Sequence, residues 1–450
     1  MMFTPHTKAD REAMLNTIGV EQIADLFKDL PAEHRFPELN LPPALTEMEV
    51  LTELQDIAWA NDSARELVCF LGAGAYNHYS PAAVDAILQR GEFLTAYTPY
   101  QPEISQGTLQ TIFEYQSMIA SLTGMDVCNA SHYDGATAVA EAVNMAYHNF
   151  RGKRPKVVLS PGVHPHYRET VRTYTQDSEI ILVGDQGQVD INDGPQALIP
   201  LIDESTSLVV VAYPDFFGRI HDFTELAEAV HQAGALLSVS VNPIALGLLK
   251  APGEFGADIV TGEGQSLGIP LSYGGPYLGL FATRKKYVRK MAGRLVGETE
   301  DNRGQRAYVL TLTAREQHIR RERATSNICT NQSLLALAAT VYLSLLGRHG
   351  LRQVSELNYH KAHYAAKRIA EIDGFELWTD NDFFNEFVIR CPQPAQEIFD
   401  HLLEHNLLAG YPLGKDYPGL ENHLLIAVTE MNSKDDIDWL VAGLEEVSNG

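Results

Sequence analysis

The sequence predicts an α/β fold: a large domain with a mostly parallel sheet, preceded by a helical arm and followed by a smaller α+β domain. Three observations carry the prediction. Residues 156–159 (KVVL), 179–183 (EIILV) and 207–212 (SLVVVA) are near-continuous apolar runs, as expected of strands buried on both faces. The stretch from 207 to 241 reads as strand, helix (223–230, stopped by Gly234) and strand (236–241), a crossover unit that builds a parallel sheet with helices on its faces. The chain has 450 residues, 45% of them apolar and 20% charged, which is globular composition spread over more than one compact core.

The elements follow in chain order. Residues 1–66 form a helical arm. An amphipathic pattern runs through Ile18, Ile23, Leu26 and Phe27, a segment with Pro31, Pro37, Pro42 and Pro43 follows, and a second helix starts at Thr46, where TEME matches a capping box. Two helices joined by an extended link bury little alone, so the arm is expected to pack on another domain or subunit. Residues 67–334 form the large domain. Residues 331–350 read as a long helix ending near Gly347 and Gly350. Residues 335–450 form the small domain, with strands at 387–390 and 423–428 between helical stretches.

Charge and composition exclude several classes. Lys+Arg total 34 against 58 Asp+Glu, a net charge of −24 that repels phosphate backbones and anionic headgroups, so neither nucleic acid nor a membrane surface is expected as partner. The longest apolar stretch, 334–346, falls short of the roughly 20 residues of a membrane span. The N-terminus reads as no secretory signal, and a cytoplasmic protein is expected. Cys69, Cys128, Cys329 and Cys391 form no CxxC pair and read as small buried apolar residues.

Gly72-Ala73-Gly74 begins like a dinucleotide fingerprint, but Asn77 stands at the third glycine. Residues 129–138 (NASHYDGATA) lead into a helix over 139–148. Their small and hydroxyl residues suit either an anion held on free backbone N–H groups or simple capping by Ser131 and Asp134. His164-Pro165-His166 has no third ligand at metal spacing, and a hydrogen-bonding role is expected there, with no metal. Glu103 with Asp126 and Glu263 with Asp258 do not mark a two-carboxylate hydrolase.

Four segments together resemble one family: 97–107 (YTPYQPEISQG), 131–137 (SHYDGAT), 264–279 (GQSLGIPLSYGGPYLG) and 321–332 (RERATSNICTNQ). They are similar to the glycine decarboxylase P-protein of the glycine cleavage system, and in particular to subunit 1 (alpha) of its two-subunit form. The resemblance spans essentially the whole chain. It implies the aspartate-aminotransferase-like fold type I of pyridoxal-phosphate enzymes. It implies a reaction in which glycine loses CO2 and its aminomethyl group passes to the lipoyl arm of H-protein, whose disulfide is the oxidant. Such a site needs a lysine for the aldehyde, an acid at the ring nitrogen and a phosphate cradle.

Two of these are absent by the same resemblance. Gln265 stands at the lysine position and Asn242 at the aspartate position. Lys250, the one lysine between Asn242 and Arg284, lies too soon after its strand and reads as a surface residue. The resemblance therefore implies a chain inactive alone. The catalytic beta subunit (subunit 2) holds the cofactor, and this chain completes its partner's site with Tyr97, Thr98, Tyr100, Gln101 and Glu103; a hydrogen-bonded loop buried at the interface explains this segment equally well. Thr325, Ser326 and Asn327 sit where fold relatives reach across to the partner's phosphate, and helix capping explains them almost as well. Arg320, Arg321 and Arg323 read as a solvated face. A dimer of heterodimers is the family expectation. The alternatives are a self-sufficient lyase using another lysine, and a non-catalytic scaffold or amino-acid sensor.

Overall fold

The computed structural model describes residues 6–64, 66–378 and 382–449. Met1–Asp62 forms one compact unit and Ser63–Gly450 another; the first five residues of the expected arm lie outside the described ones.

In the first unit, Thr7 and Asp10 cap the helix Lys8–Ile18 reciprocally, and Gly19, at φ 85°, ends it. The amphipathic pattern beyond it is a single 3-10 turn, Ile23–Phe27, where a continuous helix was expected, because the chain leaves Gly19 in a left-handed turn. The expected capping box is present. The Thr46 amide donates to Glu49 Oε2 at 2.7 Å and the Glu49 amide to Thr46 Oγ1 at 3.4 Å, opening the helix Glu47–Trp59. No described residue of this unit is buried, and Met48, Leu51, Leu54, Ile57 and Trp59 are exposed.

The second unit is built on a seven-stranded sheet. Its spatial order is Val127–Cys128, Gly279–Thr283, Ile259–Glu263, Leu236–Val241, Thr206–Tyr213, Lys156–Leu159, Ile181–Val183. The last five are mutually parallel. Gly279–Thr283 runs antiparallel to both neighbours, because the chain returns from Glu263 through a loop with no crossover helix. Both faces of these strands are buried, and alternate side chains join opposite cores. Val157, Leu159, Leu208 and Val210 face the helix Gly135–Asn149, while Val158, Val209, Val211 and Val239 pack with Tyr115 and Ile119 of the helix Gln106–Thr123. The helix Thr224–Gln232, ended by Gly234 at φ 71°, covers this second face with Leu226 and Val230.

A second, four-stranded antiparallel sheet comprises Glu376–Leu377, Glu386–Arg390, His423–Ala427 and Tyr411–Pro412. Its core includes Ile398 and Leu402 of the helix Ala395–Glu404, and Leu440 and Leu444. Phe70 also enters this core, next to the strand Val68–Cys69, which pairs in parallel with Leu407–Leu408. The hairpin Leu295–Glu300 with Arg306–Thr311 escaped the sequence pattern.

The long helix runs from Ser333 to Ile369, and Gly347 breaks it at φ 56°, ψ −171°. By length and composition it is long enough to cross a membrane. Its residues Ala336, Ala338, Ala339 and Tyr342 instead sit in the core beneath the sheet. Cys69, Cys128 and Cys391 are buried and Cys329 half-buried, all as free thiols; burial pushes the Cys128 and Cys391 thiols up to about 12.

Candidate active site

The parallel strands Thr206–Tyr213, Leu236–Val241 and Ile259–Glu263 end at one edge, where open α/β sheets place their ligands. A cavity of about 70 Å³ lies there, lined by His164, Tyr167, Asn242, Glu263, Asn385 and Glu386 among others. It adjoins an outer cleft of about 400 Å³ that shares His164, Tyr167 and Glu263 and adds Asp134 and Tyr277. The lining of neither contains a lysine or arginine.

The groups in and around the inner cavity are committed to one another. Gln265, 1% exposed, donates to the backbone carbonyls of Tyr76 (3.0 Å) and Ile269 (2.7 Å) and accepts from the Tyr76 amide (2.9 Å), so its amide is saturated. Glu386 accepts from the Ala73 amide at 2.8 Å and from Tyr76 Oη at 2.7 Å; burial pushes its carboxyl up to about 7. Half-buried Asn242 accepts from the Ile244 amide at 3.0 Å. Lys250 is exposed and lines neither cavity.

His164 plays the expected hydrogen-bonding part. Its Nδ1 accepts from the His166 amide at 3.1 Å and its Nε2 lies 2.7 Å from the Ala73 carbonyl, which assigns the proton to Nε2. Burial lowers its pKa to about 4, and the neutral ring stacks on Tyr167 at 4.7 Å. The Gly72 to Gly74 turn is thus fixed against this cavity through both backbone groups of Ala73, with Ala73 at φ 54° and Gly74 at φ 99°.

The 129–138 loop resolves its two readings in part. The helix starts at Gly135, earlier than expected, and Asp134 caps it by accepting from the Thr137 amide at 2.7 Å. Ser131 is no cap, because its hydroxyl accepts from the Gln332 amide at 3.0 Å. The first free amide of the helix, Gly135 N, is taken by Glu263 Oε2 at 2.8 Å, while Glu263 Oε1 accepts from the Gln265 (3.0 Å) and Leu278 (2.9 Å) amides. Enclosure pushes the Glu263 carboxyl up to about 8 against the pull of those three donors.

Tyr97, Gln101 and Glu103 are exposed, Tyr100 is half-exposed, and Thr98 is half-buried with its hydroxyl unpartnered. None of them lines either cavity of this chain. The segment is tied down from below: Arg294, 2% exposed, donates to Tyr100 Oη at 3.0 Å, and Gln106 exchanges two 2.9 Å hydrogen bonds with the backbone of Tyr308. Nothing in the pattern around Arg294 announces this buried cation, whose nearest carboxylate is Glu316 at 3.8 Å. Thr325 and Asn327 are exposed, and Ser326 Oγ accepts from the Ile328 amide at 3.0 Å. Arg320, Arg321 and Arg323 form an exposed surface. His401, His405 and Glu446 bring ligand atoms within 4.8 Å of one another on the surface, a trio of which only the i, i+4 histidine pair was visible in the sequence.

This architecture is that of the fold type I pyridoxal-phosphate-dependent enzymes. At 14–16% identity, a sphingosine-1-phosphate lyase of Burkholderia pseudomallei K96243 (TM-score 0.66, 92% of this chain and 94% of that one) and mouse CSAD (0.67, 91% and 90%) share the fold. A crystal structure of glycine decarboxylase (P-protein) of the glycine cleavage system, in inhibitor-bound form, matches at TM-score 0.90 and 43% identity over 99% of this chain and 100% of that one. The family model of the glycine cleavage system P-protein matches residues 1–444. The chain is 53% identical to the probable glycine dehydrogenase (decarboxylating) subunit 1 of Thermomicrobium roseum and 52% identical to that of Desulforamulus reducens, over the full length of each pair. The chain belongs to the glycine cleavage system P-protein family, in its subunit 1 branch.

The residues of this chain do not fit the cofactor of that fold. Gln265 offers no amine, and the inner cavity of about 70 Å³ is less than half the roughly 150 Å³ that accepts a benzene ring. The outer cleft presents Asp134 and Glu263 with no lysine or arginine to an anionic phosphate.

Proposed function

We propose that this chain is the half of a two-subunit glycine decarboxylase that closes the active site of its partner, subunit 2, without holding pyridoxal phosphate itself. The observation that carries the reading is the segment with Tyr97, Thr98, Tyr100, Gln101 and Glu103. It is anchored by the buried Arg294 and by Tyr308, yet none of its side chains lines the inner cavity or the outer cleft at the strand ends.

Pyridoxal phosphate, held covalently by subunit 2, supplies the electron sink for loss of CO2 from glycine. This chain supplies surroundings. The Tyr97 and Tyr100 hydroxyls and the Gln101 amide orient a substrate of two carbons, the rings exclude water, and the Glu103 carboxylate holds or returns a proton. Thr325, Ser326 and Asn327 offer hydroxyl and amide contacts to the partner's phosphate. The further partners are glycine and the lipoyl H-protein, in a cytoplasmic dimer of heterodimers.

The test is alanine substitution of Tyr100 and of Glu103 in the complex reconstituted with subunit 2 and H-protein. Glycine turnover falls at least tenfold in each while the complex elutes at unchanged size. Unchanged turnover in both, with assembly intact, would leave this chain a scaffold.

A further inference from the structure

The lysine position and the phosphate seat of this chain have been altered within one turn. Glu263 ends the strand Ile259–Glu263, and Gln265 follows two residues later. The first amide of the helix Gly135–Asn149 donates to the Glu263 carboxyl, at the place where a helix N-terminus would otherwise offer its free N–H groups to a phosphate. The other oxygen of that carboxyl accepts from the Gln265 and Leu278 amides, so three backbone donors converge on one side chain. The start of the helix is crowded against it. A Cβ on Gly135 would come within 3.1 Å of Glu263 Cβ and 2.6 Å of Tyr167 Oη.

We propose that Glu263 is a built-in substitute for the phosphate of the fold's cofactor, one that satisfies the cradle from within and bars phosphate-bearing ligands from this chain. The inference extends the proposed function by giving the reason that only one site of the pair is loaded. The carboxyl group brings acceptor oxygens to the helix N-terminus without the charge of a phosphate, and the neighbouring Asp134 capping carboxyl opposes an anion there. Gln265 completes the closure by stapling residues 76 and 269 together.

The test uses the complex with subunit 2 and inorganic phosphate as probe, followed by isothermal titration and by melting. Glu263→Ala keeps the Cβ but frees the three amides; it binds phosphate at least tenfold more tightly than wild type, and its melting temperature rises with phosphate. Glu263→Gln keeps the seat filled and stays indifferent to phosphate, as does wild type. With pyridoxal phosphate and borohydride, E263A/Q265K gains a reduced adduct on this chain that Q265K alone lacks. Phosphate binding by wild type at this helix, or a cooperatively melting Glu263→Ala no more responsive than wild type, would overturn the proposal. If Glu263→Ala does not fold, recovery of its cooperative melt by phosphate supports the proposal and failure of phosphate to restore it counts against. A complex carrying no cofactor on subunit 2 would contradict the proposed function instead, and leaves the phosphate titration readable.

Discussion

Glu386 shows how one buried carboxyl ties the inner cavity to pH. Its folded pKa of about 7 lies above the 4.5 of an unfolded glutamate, chiefly because burial disfavours the charge. For an acid shifted upward, the stabilising contribution is fully present below 4.5 and is lost as pH rises through 7. The difference of 2.5 pH units corresponds to on the order of 3 kcal/mol. Urea melts from pH 5 to 8 should therefore show wild type losing stability more steeply than Glu386→Gln, whose side chain fills the same place without titrating. Equal slopes would contradict the assignment. The expectation that Gln265 stands at the lysine position rests on the contiguous 264–279 motif. The roles of Glu263, Glu386 and Arg294 were not legible in the sequence, because each depends on partners more than a hundred residues away.

Local chemistry decided which elements could be read in advance. The strand Leu236–Val241 and the capping box at Thr46 carry strong short-range patterns and stand where expected. The hairpin Leu295–Glu300 with Arg306–Thr311 buries only Leu295, Val296 and Tyr308 and has no regular alternation to mark it. The reversed strand Gly279–Thr283 looks apolar like its parallel neighbours; its direction comes from the missing crossover helix. Two substitutions probe this scale. Asp134→Ala removes the N-cap of the helix Gly135–Asn149 and costs about 1 kcal/mol in urea melts. Gly347→Ala meets no atom within 4 Å, yet forces a side chain into φ 56°, ψ −171°, so it destabilises by about 1–3 kcal/mol through the backbone alone. A neutral result at Gly347 would mean that the two halves of the long helix can realign.

The large unit is a cofactor fold whose own inner cavity is small and whose exposed, well-anchored Tyr97–Glu103 segment does not line it. Fold class was legible from the apolar runs, and the family from its four motifs, because both are carried by contiguous residues. What lines the inner cavity was not, since it is assembled from residues between 74 and 386. The central claim is that the complex is loaded on one chain only. Its most direct measurement is visible absorbance of the co-purified complex with pyridoxal phosphate, followed by borohydride reduction and peptide mapping. The account predicts a reduced adduct on a lysine of subunit 2 and none on this chain, with no such band when this chain is purified alone. A reduced adduct on any lysine of this chain would contradict it and make the chain an enzyme in its own right.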